Sequence, residues 1–319
     1  YQHRVTPCRS RIAFLERKVE TIFVQIAAYR DPELEATCFD LIAKAKHPDR
    51  INIGIVWQGI EPNDDRLIYF EQFLPQITAE RWDAVTSKGA CWARAKAQQL
   101  YKGEDYALQI DSHMRFEEGW DETLISMLSE CDSDKPLLTT YPPDYKPPNN
   151  LTKTRLPRVR PKKFSPQGIL LFTSSSIPVG EAPDSPIKGI VCAAGFIFGK
   201  AEYMQEVPYD PNLYFFGEEI SMTVRLWTNG WDFYHPNKLV IYHLWSRDGR
   251  QTHSSDHKDW SVTDKTAKQR VRSMLGVDAE EVDIQNYGLG TARSLEEYQK
   301  FSGIDFQKQT IANPEGETP

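Results

Sequence analysis

The stretch "ALQIDSHMRF", residues 107–116, starts as an apolar, strand-like run and ends on Asp111, Ser112 and His113. A strand core seldom finishes on a carboxylate and an imidazole two residues apart, because each polar group then needs a partner or water. At a bent strand end, residues i and i+2 can both turn toward one ion. Aspartate oxygen with histidine nitrogen is a usual mixed donor set for Mn²⁺ and similar cations. A metal site, a general acid–base pair and a capped turn beside a packed neutral ring all remain open on this motif alone.

Working outward, the chain alternates strand and helix signals. "TIFVQIAAYRD" is β-branched from Thr21 to Ala28. Asp31-Pro32 then predicts an N-cap with proline at the first helical position, followed by Leu34, Cys38, Leu41, Ile42 and Ala45 at helical spacing. In "RINIGIVWQ" (50–58), Ile51, Ile53, Ile55 and Trp57 alternate as in a strand. A helix is expected over Ala90–Tyr101, a strand over Ala107–Ile110, a helix over Trp120–Cys131 and a strand in "PLLTT" (136–140). This order predicts right-handed βαβ units and a mostly parallel central sheet flanked by helices. Ligands of such sheets sit at the carboxyl ends of the strands. "AAYRD" and "DSHMRF" both fall there, so two separate segments point at one crevice.

Residues 141–186 are proline-rich and read as irregular, with Lys153, Arg155, Arg158, Arg160, Lys162 and Lys163 within eleven positions. That run is either a solvated loop or a docking edge for an acidic acceptor or partner. After an apolar strand, Leu239–Tyr242, ending in His243, the composition turns polar and helical. Ser294-Leu295-Glu296-Glu297 is a capping box opening a short helix.

Composition narrows the function classes. Of 319 residues, 40% are apolar and 12% aromatic, enough for a sizeable core. A formal net charge of −7 and a pI near 5.6 argue against a nucleic-acid partner. The longest apolar run, Ile190–Gly199, is too short for a spanning helix, and the N-terminal residues lack the apolar core of a signal peptide. Five cysteines without a CxxC pair read as reduced thiols and a cytoplasmic location. Asn150-Leu151-Thr152 is a sequon with nothing else pointing to secretion.

Two further features bear on the Asp111/His113 pair. "GEEISMTVRLW" places Glu218 and Glu219 after a glycine, where acids suit a helix start. About 25 residues later "VIYHLWSRDGR" ends a strand on His243, a third candidate ligand that leaves coordination positions open. Arg247 and Arg250 follow, placed to neutralise a diphosphate. His253-x-x-x-His257 has helical metal-ligand spacing, so a metallohydrolase is an alternative, although "THSSDHKDW" reads as an exposed loop.

"IFVQIAAYRDPEL", "RINIGIVWQ", "IDSHMRF" and the tail "YGLGTARSLEEYQKFSGIDF" resemble the cytoplasmic N-acetylglucosaminyltransferases that modify hydroxyproline on Skp1, over roughly residues 21–306. A looser likeness is to the polypeptide GalNAc-transferases. These share the D-S-H strand end, an A-R helix (Ala93-Arg94), an A-G turn (Ala194-Gly195), a G-G-E motif and a late metal-binding histidine. The sequence departs at the acid motif, where Phe216-Gly217-Glu218 stands for two glycines and an acid, and it lacks a Cys-paired lectin domain.

The resemblance implies a GT-A glycosyltransferase fold. That is a Rossmann-like, mostly parallel sheet over residues 21–260, preceded by an extension (1–20) and followed by a helical C-terminal extension (261–319). It implies transfer of GlcNAc from UDP-GlcNAc to a hydroxyl of a protein or peptide acceptor with retention of configuration. Mn²⁺ (or Mg²⁺) is expected on Asp111, His113 and His243, with Asp111 and Glu218 as the catalytic acids. Ala28, Tyr29, Arg30, Arg94, Asp111, Ser112, Gly195 and Arg247 are expected around the UDP-sugar. Within that set Tyr29 and Arg30 hold uracil and ribose, Arg94 helps fix the pocket, and Gly195 leaves room for the sugar. Arg247 meets the diphosphate, and Glu218 orients the sugar or acceptor hydroxyl. A transferase using another UDP-sugar or acceptor, or a non-catalytic nucleotide-sugar binder, keeps the same pocket.

Overall fold

β-Branched and aromatic runs in the first half of the chain line up side by side, with helices between them. The computed structural model describes residues 19–278 and 282–318, so Cys8 and all but the last two residues of the expected N-terminal extension lie outside it. In chain order, β1 (Ile22–Tyr29), α1 (Leu34–Lys44), β2 (Ile51–Gly59), β3 (Ile77–Asp83), α2 (Ala90–Gln98) and β4 (Tyr106–Asp111) form the first part. Next come β5 (Met114–Phe116), α3 (Trp120–Ser129), β6 (Pro136–Thr139) and the small pair β7 (Tyr145–Lys146) and β8 (Asn150–Leu151). A long ribbon, β9 (Arg155–Phe164) and β10 (Leu170–Pro178), leads to β11 (Ile187–Gly189), β12 (Phe196–Lys200) and α4 (Glu202–Glu206). The chain closes with α5 (Glu218–Thr228), β13 (Asp232–His235), β14 (Ile241–His243), α6 (His253–Asp256), α7 (Trp260–Met274), α8 (Leu295–Ser302), β15 (Ile304–Asp305) and β16 (Thr310–Ile311).

The central sheet has eight strands in the order β11-β13-β6-β12-β4-β1-β2-β3. The β4–β1, β1–β2, β2–β3 and β6–β13 pairs are parallel; β12 runs antiparallel to both β4 and β6, and β11 to β13. From β1 the chain proceeds outward through β2 and β3, then returns to lay β4 on the other side of β1. The order therefore reverses between β1 and β4, which opens a crevice at their carboxyl ends. Ala27 lies opposite Asp111 in that register, and Tyr29 opposite Gln58.

Side-chain alternation divides the core between the two faces. Ile22, Val24 and Ile26 of β1 join Leu34, Cys38, Leu41 and Trp120 in one cluster, whereas Phe23 joins Cys91, Ile220 and Val224 in the other. Trp120 is fully buried, and its indole N–H donates to the Leu41 carbonyl at 2.8 Å, tying α3 to α1. Cys38, Cys91, Cys131 and Cys192 are free thiols; burial raises all four above the usual thiol range and leaves them poor nucleophiles.

Two sequence expectations are corrected. The helix after β1 starts at Leu34 with Glu33 as its N-cap, not at Asp31-Pro32. Asp31 instead makes a tight turn, its Oδ1 accepting the Glu33 N–H at 2.9 Å, while its second oxygen turns toward β4. Residues 155–178, expected to be irregular, form the β9–β10 ribbon. Its prolines at 157 and 161 are tolerated because only two strands share the hydrogen bonds. The C-terminal region holds α7 and α8, with the Ser294/Glu297 capping box formed, and the β15–β16 pair. No helix among the described residues is long and apolar enough to cross a membrane.

Candidate metal and nucleotide-sugar site

Asp111 closes β4 at the crevice, and the chain turns through Ser112 and His113 into β5. β5 pairs antiparallel with β14, which sets His243 opposite Met114, while Leu244 N–H donates to the His113 carbonyl at 3.1 Å. The two histidine rings thereby meet edge to face with centroids 4.6 Å apart. One ligand atom each from Asp111, His113 and His243 lie within 4.8 Å of one another, the one such three-residue cluster among the described residues.

The surroundings prepare these atoms for a cation. His113 Nδ1 is 2.7 Å from Asp31 Oδ2, which also accepts the Ser112 hydroxyl at 2.8 Å. A carboxylate on Nδ1 fixes the tautomer and leaves Nε2 as the free donor of His113. Burial depresses the His243 imidazole below its ordinary value, despite the hydrogen bond between its Nε2 and Asp111 Oδ2 at 3.2 Å. His243 Nδ1 is buried without a hydrogen-bond partner among the described residues, and the Trp245 ring lies 4.1 Å from the imidazole, centroid to centroid. Burial alone would raise the Asp111 carboxyl, but Arg94 and His243 outweigh it and hold it well below the usual carboxylate range. One anionic oxygen and two imidazole nitrogens fit a divalent ion such as Mn²⁺, with positions left for further ligands.

Arg94 organises the opposite side. Buried on α2, it donates to Asp111 Oδ1 at 2.6 Å and pairs with Glu218. Burial opposes its charge; Glu218, Tyr209 and Asp111 more than compensate, so it stays protonated. Glu218 and Glu219 are the first residues of α5, after Gly217, whose φ of +96° favours glycine. They point different ways. Glu218 is buried against Arg94, while Glu219 accepts the Tyr141 hydroxyl at 2.6 Å and the Ala194 N–H at 3.1 Å. Burial pushes the Glu219 carboxyl up to about 7, although these two hydrogen bonds work against it. A Cβ on the neighbouring Gly195 would sit 2.9 Å from Asp111 Oδ2, so only glycine keeps this side of the site open.

At the end of β1, Ala28 is buried, and Arg30 has φ +49°, a strained value for a residue with a side chain. The Arg30 guanidinium donates to Asp64 at 2.6 Å and to Asp256 at 2.9 Å, and the Tyr29 hydroxyl donates to Asp256 at 2.8 Å. Arg247 is exposed on the loop after β14, without a side-chain partner among the described residues. Arg250 lies 3.7 Å from Asp31. The fold thus gathers Asp111, Ser112, His113, His243, Arg94, Gly195 and Glu218, with Ala28, Tyr29 and Arg30 at the adjacent strand end.

His253 and His257 do not form a metal site. Their rings stack 3.7 Å apart; His253 bonds to the Ser87 carbonyl at 3.0 Å and the Tyr214 hydroxyl at 2.8 Å, and His257 to the Ala84 carbonyl at 2.9 Å. Sequence reading missed Asp31, Asp256, Trp245 and Tyr141. Asp31 and Asp256 are separated from their partners by 82 and 226–227 residues, so no local spacing could reveal them.

A family model described as Glycosyltransferase (GlcNAc) matches residues 21–76 and 66–308. The chain belongs to this glycosyltransferase family. Among solved structures, GalNAc-T7 crystallised with UDP, GalNAc and Mn²⁺ aligns at a TM-score of 0.55 and 15% identity, over 89% of this chain and 55% of that one. TarS of S. aureus aligns at a TM-score of 0.50 and 12% identity, over 82% of this chain and 41% of TarS. These likenesses show the GT-A fold; the glycosyltransferase spans about half the length of GalNAc-T7. A search of curated proteins returns no match.

Proposed function

We propose that this glycosyltransferase moves GlcNAc from UDP-GlcNAc to a hydroxyl of a protein acceptor, hydroxyproline, serine or threonine, with retention of configuration and dependence on Mn²⁺ or Mg²⁺. The observation that carries the reading is the convergence of Asp111, His113 and His243 where the strand order reverses. The family description and the resemblance to Skp1-modifying enzymes support GlcNAc and the protein hydroxyl. A bound divalent cation would supply charge neutralisation at the diphosphate.

The chain's own residues do the rest. Tyr29 and Arg30, with the Ala28 backbone and Ser112, hold the nucleotide end. Arg247, exposed on its loop, adds charge-assisted hydrogen bonds to the diphosphate. Gly195 leaves room for the sugar. Arg94 locks Asp111 and Glu218 into one rigid unit, so Glu218 orients the reacting groups through that arginine. Glu219, beside the Ala194–Gly195 turn, offers the second carboxyl to the sugar or acceptor hydroxyl. Because the departing phosphate can take the acceptor proton on the same face, no dedicated base is required.

Measuring UDP release from UDP-GlcNAc, UDP-GalNAc and UDP-glucose in Mn²⁺ tests the donor assignment. The expected result is a preference for UDP-GlcNAc of tenfold or more in kcat/KM. A preference for another sugar would keep the fold and the metal site but sink the donor.

A further inference from the structure

Residues 145–180 contain seven lysines and arginines and no acid, in a chain whose net charge is −7. The ribbon β9–β10 occupies most of this segment. Its inner strand packs Leu156, Val159 and Pro161 into the protein, but among the described residues β10 pairs with β9 alone. The outer edge of β10 therefore offers unpaired backbone N–H and C=O groups, which is a template for another strand. Along it, the hydroxyls of Thr173, Ser174 and Ser175 make no hydrogen bond within the described residues, and Ser174 is exposed.

The charges of the ribbon lie on β9, one strand in from that edge, and are only partly used. Lys153 pairs with Glu117 at 2.6 Å, Arg155 bonds to Ser176, and Arg160 reaches the Pro314 carbonyl at 2.8 Å. The Arg158 side chain, on a residue paired across the ribbon with Ser175, makes no hydrogen bond or ion pair among the described residues; its Nε is shut off from solvent and its charge bears on the buried His235. Lys162 and Lys163 are exposed and, among the described residues, have no acid partner. The ribbon also abuts the crevice. Thr140 donates to the Pro157 carbonyl at 2.8 Å, and the next residue, Tyr141, donates to Glu219.

We propose that the free edge of β10 is the docking strand for an extended, acidic segment of the acceptor protein, main chain pairing with β10 and carboxylates meeting Arg158, Lys162 and Lys163. This rests on the protein-acceptor reading above and adds where the acceptor is held. The backbone gives affinity without sequence demands, and the charges select an acidic chain. An acceptor laid there lies on the ribbon that holds Thr140, the residue before Tyr141 and its partner Glu219.

The test uses the full chain and a fluorescent octapeptide alternating Glu and Thr. Its controls are the same peptide N-methylated at alternate residues, a Lys–Thr octapeptide and oligo-dT8. Binding of the Glu–Thr peptide is expected, weakened tenfold or more by Lys162→Glu combined with Lys163→Glu and by N-methylation on the pairing edge. The Arg158→Met variant should also bind more weakly while keeping its packing. No binding of the Glu–Thr peptide, or equal binding of the N-methylated peptide or dT8, would overturn the proposal. Donor hydrolysis, read as UDP release without acceptor, should be unchanged in the lysine variants. Its absence from the wild type would count against the transferase reading, while peptide binding would still be read on its own.

Discussion

At Asp31 a single carboxylate sets the state of a residue it cannot replace. Its hydrogen bond to His113 Nδ1 leaves Nε2 free for a metal, so Asp31→Asn should lower Mn²⁺ affinity by about 10- to 100-fold without touching the ion, as for other partners of metal-binding histidines. Mn²⁺ electron paramagnetic resonance titration reads this directly, and unchanged affinity would remove Asp31 from the account. Glu219 makes a different prediction. Its carboxyl is raised from 4.5 to about 7, so the folded state binds a proton that the unfolded state has already lost. Stability should therefore fall as pH rises from about 4.5 through about 7, by at most about 3 kcal/mol. Glu219→Gln should flatten that slope in urea unfolding at pH 5 and pH 8. Glu218→Gln removes a neighbouring charge that helps to raise the Glu219 carboxyl, so it should shrink that slope without abolishing it, and it weakens the buried pair with Arg94.

The same pair marks how far sequence reading reaches at the level of elements. Adjacent acids at a helix start must point about 100° apart, which the sequence makes plain. Which one meets Arg94 depends on how α5 packs against α2, and no spacing encodes that. The βαβ order, the strand end at Asp111 and the strand leading into His243 were legible because apolar runs and polar ends coincide there. The β9–β10 ribbon was not: its prolines and serines read as loop, and only its pairing across a turn makes it strand. Gly195 was legible as part of an A-G turn, and the structure adds its reason. Gly195→Ala would place Cβ 2.9 Å from Asp111 Oδ2, at the start of β12. Asp111 must then shift, so Mn²⁺ affinity and UDP release should fall together by about tenfold or more, with melting temperature nearly unchanged. Normal metal binding in this variant would show that the carboxylate has slack.

Across the whole molecule, the sheet supplies rigidity and the crevice supplies chemistry, and the two can be separated. Trp120 lies in the core between α1 and α3, where its ring packs on Phe116 and its indole N–H bonds to the Leu41 carbonyl. Trp120→Ala should cost about 3–5 kcal/mol of stability. The fraction that remains folded at low temperature should bind Mn²⁺ normally, so denaturant unfolding and metal titration should disagree for this variant and agree for none of the crevice variants. The central claim is that transfer runs through a divalent cation held by Asp111, His113 and His243. It is tested most directly by UDP release from UDP-GlcNAc after EDTA treatment, followed by stepwise return of Mn²⁺. Activity should vanish in chelator, return with Mn²⁺, and fail to return in Asp111→Ala; full activity in EDTA would contradict it.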